Sequence, residues 1–341
     1  MRAEELTLLV VVATAVVGCD EDGDNPFQQN VVIELPPSGG EPIVHDDGVL
    51  VTATTWMSGA SGELITLCPT REGERCKRWD AATGQVVSGA PVPASVDNAF
   101  STGILGAALC ASSVRGWGCY DLAADEWTQD RDFGGGESIA IYDAAYQGGL
   151  LVGAGSSFGV LDVESGEVEK VASGTVGVSP LEEDCFSTTM VGVVDGALYA
   201  VTCSRAYRLS SGPEGWVEIA RLPEGEAFYT QVPHPHEIGS HLCGLSDGDT
   251  SIICLDTVAP AITRVELFSD PQARFEDPNT LSAAVGGHLF AMGWNSTLYD
   301  YDPVTGDLAE PLVVDGRVGA VQRIDDRLFI FATLGVDYQY E

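Results

Sequence analysis

Lysine is almost missing from this chain. Only Lys77 and Lys170 occur among 341 residues, and 16 Lys and Arg stand against 51 Asp and Glu, a formal net charge of −35. A surface this negative repels phosphate backbones and anionic lipid, so nucleic-acid binding is excluded as a function class. It favours solubility, cations and basic partners. No apolar run reaches the roughly 20 residues that a membrane-spanning helix needs. No Cys-x-x-Cys pair occurs, which removes the usual spacing of a structural zinc site. No phosphate-binding loop of the Gly-x-x-x-x-Gly-Lys type occurs either. What is present is an apolar fraction of 45%, enough for a real core and against global disorder. The length suits one large all-β domain or two ordinary ones.

The N-terminus points to a compartment. Leu6 to Gly18 is apolar except for Thr7 and Thr14, the length of the hydrophobic part of a secretory signal. It ends in Val16-Val17-Gly18-Cys19, which resembles the aliphatic–small–small–Cys lipobox of bacterial lipoproteins. That resemblance implies a signal peptide over residues 1–18, cut before Cys19. It implies that the Cys19 thiol carries diacylglycerol and that the new N-terminus is acylated. The protein would then be held by lipid at the bacterial cell envelope, facing the periplasm or the exterior. The leading Met-Arg-Ala-Glu-Glu departs from the basic start of that family. Asp20-Glu21-Asp22-Gly23-Asp24-Asn25-Pro26 follows, and residues 19–30 read as an acidic flexible tether. A calcium loop starting at Asp20 would want Gly and Glu where Asn25 and Val31 stand, so that motif fails.

Eight cysteines remain after Cys19, and an even number in an exported chain predicts disulfides. Cys68 and Cys76 flank a polar turn, as do Cys110 with Cys119 and Cys243 with Cys254. Each pair reads as two strands of a hairpin bringing thiols within bridging reach. That leaves Cys185 to pair with Cys203.

From residue 31 to 341 a unit recurs: an apolar strand, a turn, a second strand and an Asp-bearing turn. Matching leucines stand at Leu67, Leu109, Leu151, Leu198, Leu242, Leu289 and Leu328, with gaps of 42, 42, 47, 44, 47 and 39. Trp79, Tyr120, Leu161, Leu255 and Tyr301 are each followed seven residues later by an apolar residue. Between them lie turns such as DAATG, DVESG and DPVTG, where Asp caps and Gly supplies a positive φ. In the fourth unit the step from Tyr207 to Trp216 is two residues longer. A period near 44 residues with several short strands per unit is the signature of propeller blades. The expected fold is all-β, a seven-bladed β-propeller of four-stranded antiparallel blades. The last unit lacks a fourth strand, and Val31 to Leu35 near the mature N-terminus is expected to supply it and close the ring. The Gly286-Gly287 doublet with the following Tyr-Asp-Pro-x-Thr turn, and the Tyr120-to-Trp127 spacing, resemble kelch and quinoprotein-like propellers.

No residue set specifies a reaction. Gly155-Ser156-Ser157-Phe158-Gly159 fits the hydrolase elbow pattern, but no helix is expected after it, so it reads as a turn. The residues with metal-ligating chemistry are His234, His236, Glu237 and His241; Pro233 and Pro235 beside them favour an irregular surface loop. No metal and no cofactor are expected, and His45 and His288 show no evident partner. The reading is a monomeric, lipid-anchored envelope propeller that binds or scaffolds a protein or glycan, attached to the membrane through Cys19. The alternative is a propeller enzyme, a metal-dependent hydrolase or lyase with its site at the central channel.

Overall fold

The computed structural model describes residues 29–36, 41–46, 56–134, 139–154, 157–172, 190–210, 215–224, 226, 232, 234–246, 251–267, 281–293, 296–314 and 316–334. The expected signal peptide, Cys19 with residues 20–28 of the tether, and Cys185 lie outside the described residues. Seven four-stranded antiparallel sheets are present. Blade 1 is Trp56–Ser61, Leu64–Pro69, Arg75–Asp80 and Val86–Pro91. Blade 2 is Ser101–Leu105, Ala108–Ser112, Gly116–Asp121 and Glu126–Asp132. Blade 3 is Ile139–Tyr146, Gly149–Ala154, Ser157–Leu161 and Val168–Ala172. Blade 4 is Met190–Val194, Ala197–Val201, Arg205–Leu209 and Trp216–Arg221. Blade 5 is His236–Ile238, His241–Leu245, Ser251–Asp256 and Ala261–Glu266. Blade 6 is Ser282–Val285, His288–Gly293, Thr297–Tyr301 and Leu312–Val313. The first strands of successive blades pack beside one another around a common axis. This is a seven-bladed β-propeller.

Blade 7 closes the ring with both ends of the chain. Gly316–Ile324 and Arg327–Leu334 are its first two strands; Gln29–Leu35 is the third and Ile43–His45 the fourth. The single closing strand expected at Val31 to Leu35 is therefore corrected to two. Gln29–Leu35 pairs along its whole length with Arg327–Leu334, Val32 lying opposite Phe331. The strand also begins at Gln29, inside the segment read as tether.

Seven apolar clusters fill the seven interfaces between blades. Each blade is greasy on both faces because it is sandwiched, and removing that surface from water is the main stabilising term. The closing interface holds Val32, Ile65, Leu67, Trp79, Phe329 and Phe331. Trp79 is fully buried there, its ring 5.5 Å from Phe329 and 5.8 Å from Phe331.

The strand register refines the repeat. Leu109, Leu242 and Leu289 stand opposite Tyr120, Leu255 and Tyr301. The residues in that place in blades 1 and 3 are Ile65, opposite Trp79, and Leu150, opposite Leu161. Leu67 lies two residues further along the same face as Ile65, while Leu151 lies one residue from Leu150 and faces the opposite interface. The seven-residue step marks pairs directly opposed across the last hairpin: Trp79 with Val86, Tyr120 with Trp127, Leu161 with Val168, Leu255 with Ile262 and Tyr301 with Leu308. Blade 4 keeps the same step, because Leu209, not Tyr207, faces Trp216. The Asp of each turn caps it: Asp80, Asp121, Asp162, Asp256 and Asp302 each accept two backbone N–H bonds through Oδ1. Those bonds hold the Asp162 and Asp302 carboxyls below the usual aspartate range.

Candidate functional site: the central channel

The first strands crowd together at the axis, so the sequence must supply small side chains there. Ser58, Ala60, Thr102, Gly103, Ser282, Ala283 and Ala284 do so. Gly103 marks a close approach: a Cβ there would sit 2.6 Å from the Tyr142 carbonyl oxygen of the next blade. What remains is a cavity of about 420 Å³, lined also by Ile104, Asp143, His234, Pro235, His236, Glu237, Gln322 and Arg323. Among the described residues, six of the seven blades contribute to it.

The first strand of a propeller blade has one edge without a sheet neighbour, and its polar groups must find other partners. Here channel side chains bond across the gaps between blades. Gln322 Nε2 donates to Ser58 Oγ at 2.6 Å. Asp143 accepts from the Ile104 N–H at 2.9 Å, and Ser101 Oγ from the Ile141 N–H at 2.9 Å. Glu237 accepts from the Asp195 N–H at 2.8 Å. His236 Nε2 lies 3.0 Å from Ser282 Oγ, and Arg323 donates to the Ala284 carbonyl at 2.7 Å. The three bonds made by Asp143, Glu237 and Arg323 are charge-assisted and the stronger ones.

Burial pulls His236 down from its ordinary value of 6.5 to about 4; Asp143 opposes the fall, while His234 and Arg323 add to it. The imidazole is therefore neutral at pH 7, and the charges facing the cavity from Asp143, Glu237 and Arg323 are two negative and one positive.

Of the residues singled out from the sequence, His234, His236 and Glu237 line this cavity, and His241 does not. His241 starts the next strand, 3.8 Å from Asp256 and 3.4 Å from Ser240 Oγ. His236 and Glu237 turn to different blades, and among the described residues no group of three or more His, Cys, Asp and Glu is placed to hold a metal ion. His45 and His288 do have partners, Glu34 at 3.0 Å and Asp300 at 2.7 Å, which correction only the strand pairing reveals. Ser157 opens a strand that follows another strand, not a helix; Gly155 and Ser156 lie outside the described residues. Cys68–Cys76, Cys110–Cys119 and Cys243–Cys254 are disulfides with Cα separations of 4.1, 4.0 and 4.1 Å, each joining the second and third strands of its blade. Cys203 is disulfide-bonded, while its expected partner Cys185 lies outside the described residues. Asp143, Arg323, Ser58, Ser282 and Gln322 carry no signal in the sequence, since nothing local marks which acid or hydroxyl faces an axis.

No family model matches the chain, and no curated protein sequence matches it. Solved structures do resemble it. The extracellular domain described as that of a hybrid two-component system from B. thetaiotaomicron has a TM-score of 0.58 at 14% identity over 84% of this chain. This chain spans only 38% of that one. The β-propeller domain of Cps50 (Swd1) from Myceliophteria thermophila has a TM-score of 0.54 at 14% identity, over 83% of this chain and 98% of its own. They share the fold. At this identity the likeness carries nothing about ligand or partner.

Proposed function

We propose that this chain is a lipid-anchored binding module of the cell envelope that presents the channel cavity to its ligand. The observation that carries the binding reading is the cavity itself. Its wall comes from six blades, and its polar side chains are fixed by bonds to neighbouring blades before any ligand arrives. Such preorganisation lowers the ordering cost of binding. The Val16-Val17-Gly18-Cys19 pattern, the acidic stretch after it and the disulfides support export and attachment at Cys19. Partners in that setting are an envelope protein or glycan. The likeness to an extracellular domain accords with such a setting.

Labelling with a radioactive fatty acid, followed by membrane fractionation, tests the anchor. Wild type should label and sediment with membranes, and Cys19→Ser should do neither. Undiminished labelling of Cys19→Ser overturns the lipid-anchor reading.

A further inference from the structure

Strand pairing fixes the face on which the chain enters the ring. The first strand of each blade runs toward the hairpin turn that leads to the second. Glu237 and Arg323 are each the last residue but one of such a strand. Asp143 bonds the N–H of Ile104, which holds the same place in Ser101–Leu105. The charged mouth of the channel therefore lies on the face of these hairpin turns. Gln29 pairs with Leu334, the far end of Arg327–Leu334, and Gly316 pairs with Leu334 from the other side. The chain thus enters blade 7 on the face opposite the mouth. Gln29 stands ten residues after Cys19. A flexible stretch of that length has an average reach of about 17 Å. The strand from Gln29 to Leu35 alone runs about 20 Å toward the mouth face, at about 3.3 Å per residue. Lipid on Cys19 would therefore draw the entry face, not the mouth, toward the bilayer.

That entry face carries a preformed apolar knob on blades 1 and 2. The Phe100 N–H donates to the Ser112 carbonyl at 2.9 Å and the Asn98 N–H to the Thr70 carbonyl at 2.6 Å. Ser113 Oγ donates to the Ser95 carbonyl at 2.7 Å, and the Glu72 N–H to Asp97 Oδ1 at 3.1 Å. Two apolar side chains project from this laced surface: Val114, 76% exposed, and Phe100, 43% exposed. Phe100 is the one exposed phenylalanine or tryptophan among the described residues. Arg115 lies 3.4 Å from Glu72 and 3.2 Å from Asp97, so the charges beside the knob are matched. Arg71 and Glu74 are exposed at the adjoining turn. On the mouth face the exposed Val258 and Val304 sit instead within turns capped by Asp256 and Asp302. Pressing that face on a bilayer would strip water from such carboxylates, which is costly.

We infer that the entry face rests on the bilayer, with Phe100 and Val114 in its interface and the charged mouth turned to the aqueous side. This inference rests on the lipid-anchor reading and names the surface that the anchored ring gives to the membrane. Phe100 and Val114 bury apolar area at the headgroup boundary, and Arg71 is long enough to reach phosphates beside them. The contact is apolar, so it needs no anionic lipid, which the net charge of −35 repels. Two side chains bind a bilayer weakly on their own. Anchoring makes the contact intramolecular, at an effective concentration on the order of millimolar. A ligand of the channel then arrives from the aqueous side.

The test uses the lipidated full chain in phosphatidylcholine vesicles, with or without bromine on the acyl chains near the headgroup as a contact quencher. The fluorescence added by Phe100→Trp, and separately by Val114→Trp, should be lost to brominated lipid. That added by Val304→Trp should survive. Val114→Trp keeps the test open if Phe100→Trp fails to fold. Adding Phe100→Asp to Val114→Trp should restore its fluorescence while the protein stays anchored. Quenching of Val304→Trp equal to that of the entry-face reporters, or no added quenching of either of them, overturns the inference. Fatty-acid labelling of the same preparation separates the two readings. Label present with the wrong face quenched sinks the orientation alone; no label sinks the anchor and the orientation with it.

Discussion

Gln322 Nε2 donates to Ser58 Oγ across 264 residues of sequence. The bond joins blade 7 to blade 1 at the axis. At the same interface Arg327 bonds Glu63 at 2.7 Å and Trp79 packs on Phe329 and Phe331. The ring is therefore closed twice, by sheet pairing inside blade 7 and by this interface beside it.

Closure predicts where the fold is most vulnerable. Phe331→Ala empties a fully buried site opposite Val32 and should cost about 3–5 kcal/mol. Val304→Ala, at a turn position 75% exposed, should change stability by less than about 0.5 kcal/mol. Urea unfolding of both variants measures the difference. Equal midpoints would mean that the closing interface contributes little.

The disulfides predict a second loss. Cys110 and Cys119 lie directly opposite each other, nine residues apart in sequence. Replacing both with serine should destabilise by about 2–3 kcal/mol in the chain-entropy account of short loops. Mass mapping of the unreduced protein should recover the 68–76, 110–119 and 243–254 linkages. Any other pairing among those six would contradict the strand register.

The channel histidine predicts a pH dependence. His236 is held neutral in the folded state, with its value pulled down to about 4 by burial. The unfolded chain therefore binds more protons than the folded one between pH 4 and 6.5, and stability falls as pH drops through that window. The loss should be on the order of 2 kcal/mol. His236→Gln removes this titration and keeps a partner for Ser282. The stability gap between wild type and His236→Gln, read from urea midpoints at pH 7.5 and pH 4.5, should shift toward the variant at the lower pH. A gap that does not move would show that His236 accepts its proton without penalty.

Much of the propeller is visible in the sequence because its rules are local. The step from Tyr120 to Trp127 reflects a hairpin whose length is set by the turn that Asp121 caps. The same holds where the wording changes. The Gly286-Gly287 doublet takes positive φ at both positions, and Gln147-Gly148 and Asp195-Gly196 do the same in blades 3 and 4. Matching on the doublet alone therefore misses turns that share its shape. Leu151 shows the limit of such matching: a strand is recognisable from its composition, but which of its residues faces which neighbour is fixed only by the strand opposite.

By itself, the sequence determined the class of fold, the number of blades, the turns and the three hairpin disulfides. The turns and disulfides depend on residues within about a dozen positions of one another, and the number of blades on the recurrence of that local unit about every 44 residues. The tertiary structure decided that two N-terminal strands enter the last blade, that His45 meets Glu34, and that Ser58, Asp143, His236, Ser282 and Arg323 share one cavity. Those residues come from five blades. Only closing the ring brings them together, and no local pattern records which side chain of a short inner strand will face the axis.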